Sequence, residues 1–218
     1  MHEVSIITSI YGGYDNLNPV LPQNGICVDW VLVTDRVPED ALGWRVVVEP
    51  SDLNPVRAAK RAKLFPWLYT EAQASIWIDS SFQVQSESFA QEALSYAKPI
   101  AQFAHPWRDC LFLEAQYLSG LFKDQAQAEL IRKQSEFYRA NNHPEHWGLW
   151  ATGVIARHHT PVIRAMSLSW QQDIEKWSHR DQISQAYSLR LSSLYPESFP
   201  GDYFSSPWIR YVGHRHED

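Results

Sequence analysis

The sequence predicts an α/β protein with a mainly parallel central sheet, flanking helices and a helix-rich C-terminal half. Three short apolar runs support this prediction: residues 3–10, 29–35 and 75–79. Each run is rich in β-branched or aromatic residues and is bounded by polar residues or glycine, which is typical of strands buried in a parallel sheet. Helical patterns in the first half of the chain alternate with strands, which favours parallel strands joined by crossover helices.

The first half of the chain contains most of the predicted strands. They lie at 3–10, 29–35, 44–48 and 75–79. Asn54 and Pro55 predict the start of a helix, since proline suits the first helical position. We expect Pro66 to end that helix before the last of these strands begins.

The second half is richer in helix. Helices are predicted over 86–97, 110–140 with a break near Gly120, 160–177 and 180–191, and strands at 101–104 and 147–157. The remaining tail is rich in proline and aromatic residues and is predicted to be coil. No internal repeat or low-complexity linker divides the chain, so we expect residues 1–218 to form a single domain.

Length, charge and cysteine content exclude several classes of protein. A chain of 218 residues is long enough to bury a core. A net charge of −6 with 19 basic residues argues against a general nucleic-acid-binding protein. Cys27 and Cys110 lack the spacing of a zinc site, and we expect both to be reduced core residues. No apolar run approaches a membrane span and no signal-peptide pattern is present, so we expect a cytoplasmic protein, free or peripheral to a membrane.

The strand at 75–79 ends on Asp79, and Ser80 and Ser81 follow it. Open α/β sheets bind ligands at the carboxyl ends of their strands, so Asp79 is a candidate for a ligand-binding cleft. A carboxylate at this place can hold a divalent cation against a diphosphate leaving group. An Asp that caps the following turn gives the same pattern, and this segment alone does not decide between the two interpretations.

The turn after the first strand and the end of the second strand suggest a nucleotide pocket. Gly12 and Gly13 let the backbone turn with positive φ or approach a ligand closely, although such a pair also forms plain turns. Asp35 ends the second strand and is a candidate for binding a ribose or base hydroxyl, or for capping a loop. Neither a Gly-x-Gly-x-x-Gly fingerprint nor a P-loop is present, which argues against dinucleotide and P-loop enzymes.

The helix that begins at Pro55 carries four basic residues on two neighbouring faces. Arg57 and Arg61 share one face, and Lys60 and Lys63 share the other. Either face is suited to a diphosphate, Arg through its planar guanidinium and Lys as a point charge. A solvated charged surface is the alternative interpretation.

Histidines occur in two further places of interest. His105 and Arg108 flank a Pro-Trp turn with Glu114 close behind, which suits a polar substrate or a structural Arg–Glu pair. His158 and His159 are adjacent after a predicted strand, where neighbouring residues point in opposite directions, so we expect both at the surface.

The C-terminal part contributes three candidates. Asp181 and Gln182 begin a predicted helix, where an acid either complements the helix dipole or binds sugar and acceptor hydroxyls. His214 in the tail is a candidate for closing over a metal diphosphate, while His216 is expected to belong to a disordered chain end.

Seven of these pieces together resemble one protein family. In chain order they are 11–15, 33–35, 57–63, 75–79, 105–109, Glu114 and 180–182. Their order resembles the glycosyltransferase-like domain family, formerly of unknown function, of bacterial polysaccharide loci and plant mucilage and turgor-regulation proteins. The resemblance extends over about residues 4–190. It implies a GT-A-like, Rossmann-type domain with a nucleotide-sugar donor in its cleft.

The resemblance also implies roles for individual residues. Asp79 takes the place of the first acid of the Asp-x-Asp metal motif, and Asp79, Asp181 and Gln182 are the implied catalytic residues. The implied ligands of a Mn²⁺ or Mg²⁺ ion are Asp79, Ser81 and His214, although the Ser81 hydroxyl is a poorer ligand than the usual second acid. The donor-binding residues are Tyr11, Gly12, Asp15, Asp35, Arg57, Arg61, Lys63, His105 and Arg108.

The implied activity is transfer of a hexose from a nucleotide-diphosphate sugar, with UDP favoured, to a glycan or lipid-linked acceptor in surface polysaccharide biosynthesis. Negative charge builds on the departing diphosphate and needs a cation nearby. Asp181 would deprotonate the acceptor in an inverting enzyme and stabilise the sugar cation in a retaining one. Analogy with glycogenin-like enzymes favours retention.

Two other functions remain open from the sequence. Nine histidines with acids nearby are compatible with a metal-dependent hydrolase, such as a ceramidase, although no His-Glu-x-x-His spacing is present. Ten Trp and ten Tyr are compatible with a non-catalytic carbohydrate-binding module, although most of these rings are expected to fill the core.

Overall fold

A seven-stranded sheet forms the centre of the protein in the computed structural model, which describes residues 2–215. The strands are β1 Val4–Ile10, β2 Val28–Thr34, β3 Arg45–Val48, β4 Ala74–Ile78, β5 Phe82–Val84, β6 Ile100–Ala104, β7 Trp150–His158, β8 Glu197–Ser198 and β9 Ile209–Tyr211. The helices are α1 Pro55–Leu64, α2 Phe89–Tyr96, α3 Leu111–Leu121, α4 Gln125–Ala140, α5 Pro161–Lys176 and α6 Asp181–Leu191, with a 3₁₀ turn at Pro66–Leu68.

The strand order in the central sheet is β3-β2-β1-β4-β7-β6-β8. Six strands run in one direction, and β7 runs antiparallel to both of its neighbours, β4 and β6. The strands β5 and β9 form a separate antiparallel pair. The prediction of a mainly parallel α/β sheet flanked by helices is therefore confirmed, and the arrangement is consistent with a GT-A-like fold.

Both faces of the sheet are covered, which explains why its strands are apolar without alternation. Along β1, Ile6 packs into one core and Ile7 into the core on the opposite face. Trp170 of α5 is fully buried in the second of these cores. Six of the ten tryptophans are buried, as expected, but Trp107 exposes 65% of its surface.

Local sequence signals set the helix boundaries. The Asn54 side chain accepts a hydrogen bond from the Val56 amide at 3.0 Å, and Pro55 is the first residue of α1. The helical stretch predicted over 110–140 is interrupted at residues 122–124, close to the expected break at Gly120. The predicted helix at 86–97 is shorter, because α2 begins only at Phe89.

Two expectations about burial are wrong. Cys110 is buried, but Cys27 is exposed because it lies in the loop before β2. His159 is buried, not at the surface, because it follows the last residue of β7 and strand alternation no longer applies. Its Nε2 lies 2.9 Å from Ser75 Oγ, and burial lowers its pKa to about 4.

The helices of the described chain are too short or too polar to cross a bilayer.

Candidate functional site

A cavity of about 540 Å³ opens at the carboxyl ends of β1 and β4. Strands β2 and β3 lie on one side of β1, and β4 lies on the other, so the strand order reverses at this point. Ligands of open α/β sheets bind at such a reversal, because the connections leave in opposite directions and open a crevice between them. Helix α1, the first turn of α6 and residues 151–154 of β7 contribute walls.

Asp79 lies directly after β4 and lines this cavity. Its Oδ1 accepts hydrogen bonds from Trp77 Nε1 at 2.6 Å and from Lys63 Nζ at 3.2 Å. Its amide donates to the Gly153 carbonyl at 2.8 Å, which ties the end of β4 to β7. Oδ2 lies beside Gly153, where an added Cβ would be 3.4 Å away. The carboxylate is therefore held in one orientation and its side chain stays 35% exposed.

Two lysines of α1 converge on Asp181, the first residue of α6. Lys63 Nζ lies 2.8 Å and Lys60 Nζ 3.0 Å from Asp181 Oδ2. Thr152 Oγ1 donates to Asp181 Oδ1 at 3.3 Å. Because Lys63 also contacts Asp79, the four charged groups form one connected cluster, which we call the lysine–aspartate cluster (Lys60, Lys63, Asp79 and Asp181).

The cluster shifts the pKa values of its members. Burial alone would raise the pKa of Asp181, but the ammonium groups of Lys60 and Lys63 outweigh burial and hold it well below its usual value. Burial alone would lower the pKa of Lys63, but Asp181 and Asp79 outweigh it and the net shift is upward. For Lys60, burial prevails over Asp181 and the pKa is lowered. Asp181 is thus ionised and Lys63 protonated at neutral pH.

Arg180 adds positive charge at the rim of the same cavity. It is exposed, lines the cavity, and forms no ion pair within the described residues 2–215. With both lysines protonated, the lysine–aspartate cluster has two positive and two negative charges. Arg180 then gives this side of the cavity an excess positive charge.

Gln182 lines the cavity, and its side-chain amide is held by the buried acid Glu114. Its Nε2 donates to Glu114 Oε1 at 3.2 Å, and Arg108 Nε donates to Glu114 Oε2 at 2.5 Å. His105 Nε2 lies 3.7 Å from the same oxygen. His105 and Arg108, predicted to bind the donor, lie outside the cavity lining, and their contacts support Gln182 through Glu114.

The C-terminal tail is attached to the turn after β1. His214 Nδ1 lies 3.0 Å from both carboxylate oxygens of Asp15. Ser80 Oγ also donates to Asp15, and the rings of Tyr14 and His214 lie 5.3 Å apart. Asp15 and His214 line the cavity, so the predicted approach of the tail to the site is present in the fold. His216 lies outside the described residues.

The first two strands end close to each other. The Gly12 amide donates to Asp35 Oδ2 at 2.8 Å, and Gly12 has a φ of 63° that favours glycine. Asp35 Oδ1 is buried with no hydrogen-bond partner among the described residues. Tyr11 lines the cavity, whereas Gly12 and Asp35 lie beside it. Burial, Glu49 and Asp35 raise the pKa of Tyr11 to about 12.

The arginine face of α1 turns away from the cavity. Arg57 donates to the carbonyls of Ile174 and Trp177 at 2.8 and 3.4 Å, which attaches α1 to the end of α5. Arg61 pairs with Glu49 at 3.0 Å, and its side chain is 58% exposed. Neither arginine lines the cavity, so the basic residues of α1 that face it are the lysines.

Several lining residues lie outside the predicted set, among them Lys60, Thr152, Gly153 and Arg180. A signal for Lys60 exists in the sequence, because Lys60 lies on the same face of α1 as Lys63. That pattern does not reveal which flank of the apolar face meets the strand ends. Thr152 and Gly153 belong to β7, and their place follows only from the antiparallel pairing of β7 with β4.

The predicted metal ligands Asp79, Ser81 and His214 all line the cavity, and the divalent cation stays a prediction. Within residues 2–215, no three His, Cys, Asp or Glu residues come together in a group that could hold an ion. Asp79 Oδ1 is occupied by Lys63 and Trp77, and His214 is directed at Asp15. Ser81 lines the cavity and is buried. Asp79 is the one carboxylate among these three predicted ligands, so the set would hold a hard cation weakly, and the mechanism proposed below uses the lysines instead.

Of the comparisons with known proteins, the one with family models gives a match, and no curated protein matches the chain. The model of the TOD1/MUCI70 glycosyltransferase-like domain matches residues 39–199, nearly three quarters of the chain. The match includes the whole lysine–aspartate cluster, and it confirms the resemblance predicted from the sequence. The chain belongs to the TOD1/MUCI70 glycosyltransferase-like domain family, which indicates a glycosyltransferase-type function in general.

Proposed function

We propose that this protein transfers a sugar from a nucleotide-diphosphate sugar, with UDP favoured, to a hydroxyl of a glycan or lipid-linked acceptor. The lysine–aspartate cluster at the strand-order reversal supports this proposal most strongly. A nucleoside diphosphate carries negative charge that needs cations at fixed positions, and Lys60, Lys63 and Arg180 supply them. Carboxylates beside those cations suit the opposite charge that develops on the sugar.

Lysines stabilise the leaving group in this mechanism. As the bond between the sugar and the diphosphate breaks, negative charge grows on the phosphate oxygens. Lys63 is protonated at neutral pH and is only 3% exposed, so its charge acts where solvent screening is weak. Aspartates already hold both ammonium groups in place, so little reorganisation is needed when the charge develops.

Asp181 acts electrostatically in this proposal. A carboxylate with a strongly lowered pKa is a weak base at neutral pH, which disfavours deprotonation of the acceptor by Asp181. An ionised carboxylate stabilises the positive charge of the sugar as its bond to the diphosphate breaks. This reasoning favours a retaining enzyme over an inverting one.

Gln182 orients the sugar. Its amide nitrogen is committed to Glu114, which leaves Oε1 to accept a hydrogen bond from a sugar hydroxyl. Glu114 is 2% exposed and is fixed by Arg108, so the amide of Gln182 keeps its orientation. A role in surface polysaccharide biosynthesis and a cytoplasmic site of action agree with such a reaction and belong to the same proposal.

Donor hydrolysis tests the proposal without knowledge of the acceptor, because water can replace the acceptor slowly. The protein is incubated with a panel of UDP-, GDP- and ADP-linked sugars, with Mn²⁺ and separately with EDTA, and release of the nucleotide is measured. We expect release from at least one donor and its loss in Asp79→Asn. No release from any donor under either condition, or release by Asp79→Asn at the parent rate, would contradict the proposal. Comparing the rate of release with Mn²⁺ and with EDTA tests whether the reaction needs the predicted divalent cation.

A further inference from the structure

Two large aromatic rings are exposed at the cavity and are not buried in the hydrophobic core. Trp107 and Phe204 are 65% and 52% exposed. Their ring centroids lie 5.6 Å apart, at an interplanar angle of 41°. Most large rings of this protein are buried, so two adjacent exposed rings at this place point to a binding role.

The exposed rings continue the wall of the cavity. Tyr203, Phe204 and Tyr211 line the cavity. The ring of Phe204 lies 4.3 Å from that of Tyr203 and 6.0 Å from that of Tyr211. Phe204 thus connects the interior of the cavity with Trp107 outside it.

A second cavity, of about 340 Å³, begins on the far side of Trp107. Tyr195, which is 63% exposed, lies in its lining and contacts Trp150 at a ring distance of 4.7 Å. Arg108 and Asp109 bring charged groups to the same surface. We call the surface formed by Tyr203, Phe204, Trp107 and Tyr195 the aromatic track. It runs from the candidate active site into the second cavity.

Neighbouring side chains hold Trp107 although solvent reaches it. The His105 ring packs edge-on against Trp107 at 5.7 Å, and the Arg108 guanidinium lies 5.9 Å from its ring centroid. Arg108 is in turn fixed by Glu114 and by the ring of Tyr117 at 4.1 Å. A ring held in this way loses little conformational freedom when a ligand binds, which favours affinity.

We propose that the aromatic track binds the acceptor, and that the acceptor is an oligosaccharide of pyranose units. One face of a pyranose presents C–H groups that pack on an aromatic ring, while its hydroxyls at the edge need polar partners. The track offers both, because Arg108 and Asp109 flank Trp107. A lipid chain would instead favour an apolar groove without charged groups. This inference rests on the proposed glycosyltransferase function and names the acceptor class of that reaction.

Direct binding of oligosaccharides tests the aromatic track. Maltohexaose, cellohexaose and chitohexaose are titrated against the full chain and followed by saturation-transfer and chemical-shift NMR. We expect at least one of them to bind the parent, and Trp107→Ala and Phe204→Ala to weaken that binding about fivefold or more. Trp107→Phe keeps a flat ring and is expected to retain most of the affinity.

The matched control is Leu168→Ala, which removes a side chain that is 55% exposed on α5, outside the lining of both cavities. This variant should bind as the parent does. The inference is overturned if none of the three hexasaccharides binds, or if Trp107→Ala and Phe204→Ala bind as tightly as the parent. Oligosaccharide binding requires no donor, so its failure is distinguishable from failure of donor hydrolysis, which would remove the proposed function itself.

Discussion

Replacing Asp181 by Asn tests the lysine–aspartate cluster through the free energy of unfolding. The substitution keeps the shape of the side chain and the contact with Thr152, but it leaves Lys60 without an ion pair among residues 2–215. Lys63 retains Asp79 at 3.2 Å. Breaking a buried ion pair costs about 3–5 kcal/mol. We expect the lower end, about 3 kcal/mol, because Lys60 already has a lowered pKa and can lose its proton.

Urea unfolding at pH 7, followed by tryptophan fluorescence, measures this effect. For a chain of this length the same loss lowers Tm by about 6–12 °C. Asp79→Asn is the matched control, because Asp79 is partly exposed and Lys63 retains Asp181. It should cost about 1 kcal/mol or less.

The pH dependence gives an independent check. A carboxyl whose pKa is lowered by folding contributes stability above its unfolded pKa of about 3.9, and that contribution disappears as the pH falls toward the folded pKa. The difference between the parent and Asp181→Asn should therefore not shrink between about pH 7 and 5, and it should shrink in more acidic solution. A difference below about 0.5 kcal/mol at pH 7, or one that does not shrink in acid, would show that Asp181 does not stabilise the fold through its ion pairs with the lysines.

Three further predictions concern the same cavity. Lys63→Met should slow donor hydrolysis by about 10²–10³, because it removes a charge at the leaving group, while Arg132→Met on α4 should not change the rate. Arg180→Met should weaken binding of UDP in calorimetry and reduce its dependence on salt, whereas unchanged affinity would exclude Arg180 from the site. Gly153→Ala should destabilise the fold by about 1–3 kcal/mol in urea unfolding, because its Cβ would lie 2.8 Å from Phe82 Cε2, and parent-like stability would show that the strands relax freely.

The sequence predicts the sheet better than the site, and α1 shows why. The start of α1 follows from Asn54 and Pro55, whose chemistry is local and therefore readable from sequence. Which flank of α1 meets the strand ends depends on how the helix packs on the sheet, and the arginine and lysine faces are equally basic. The prediction selected Arg57 and Arg61 along with Lys63, whereas Lys60 and Lys63 line the cavity.

The contribution of β7 has a similar explanation. No local pattern in residues 150–158 indicates that this strand runs antiparallel and inserts between β4 and β6. Thr152 and Gly153 reach the cavity only through that insertion. Asp79 and Asp181 were accessible to sequence reasoning because an acid at a strand end or at a helix start is a local pattern. The contacts of Lys63 with both aspartates join distant parts of the chain, so a local pattern does not predict them.

The decisive experiment for the lysine–aspartate cluster is a crystal structure with the nucleoside diphosphate of the most rapidly hydrolysed donor. We expect diphosphate oxygens within about 3 Å of Lys60 Nζ or Lys63 Nζ, with the nucleoside toward Tyr11 and the end of β1. A nucleotide bound in another cavity, or a diphosphate in contact with neither lysine, would contradict this expectation.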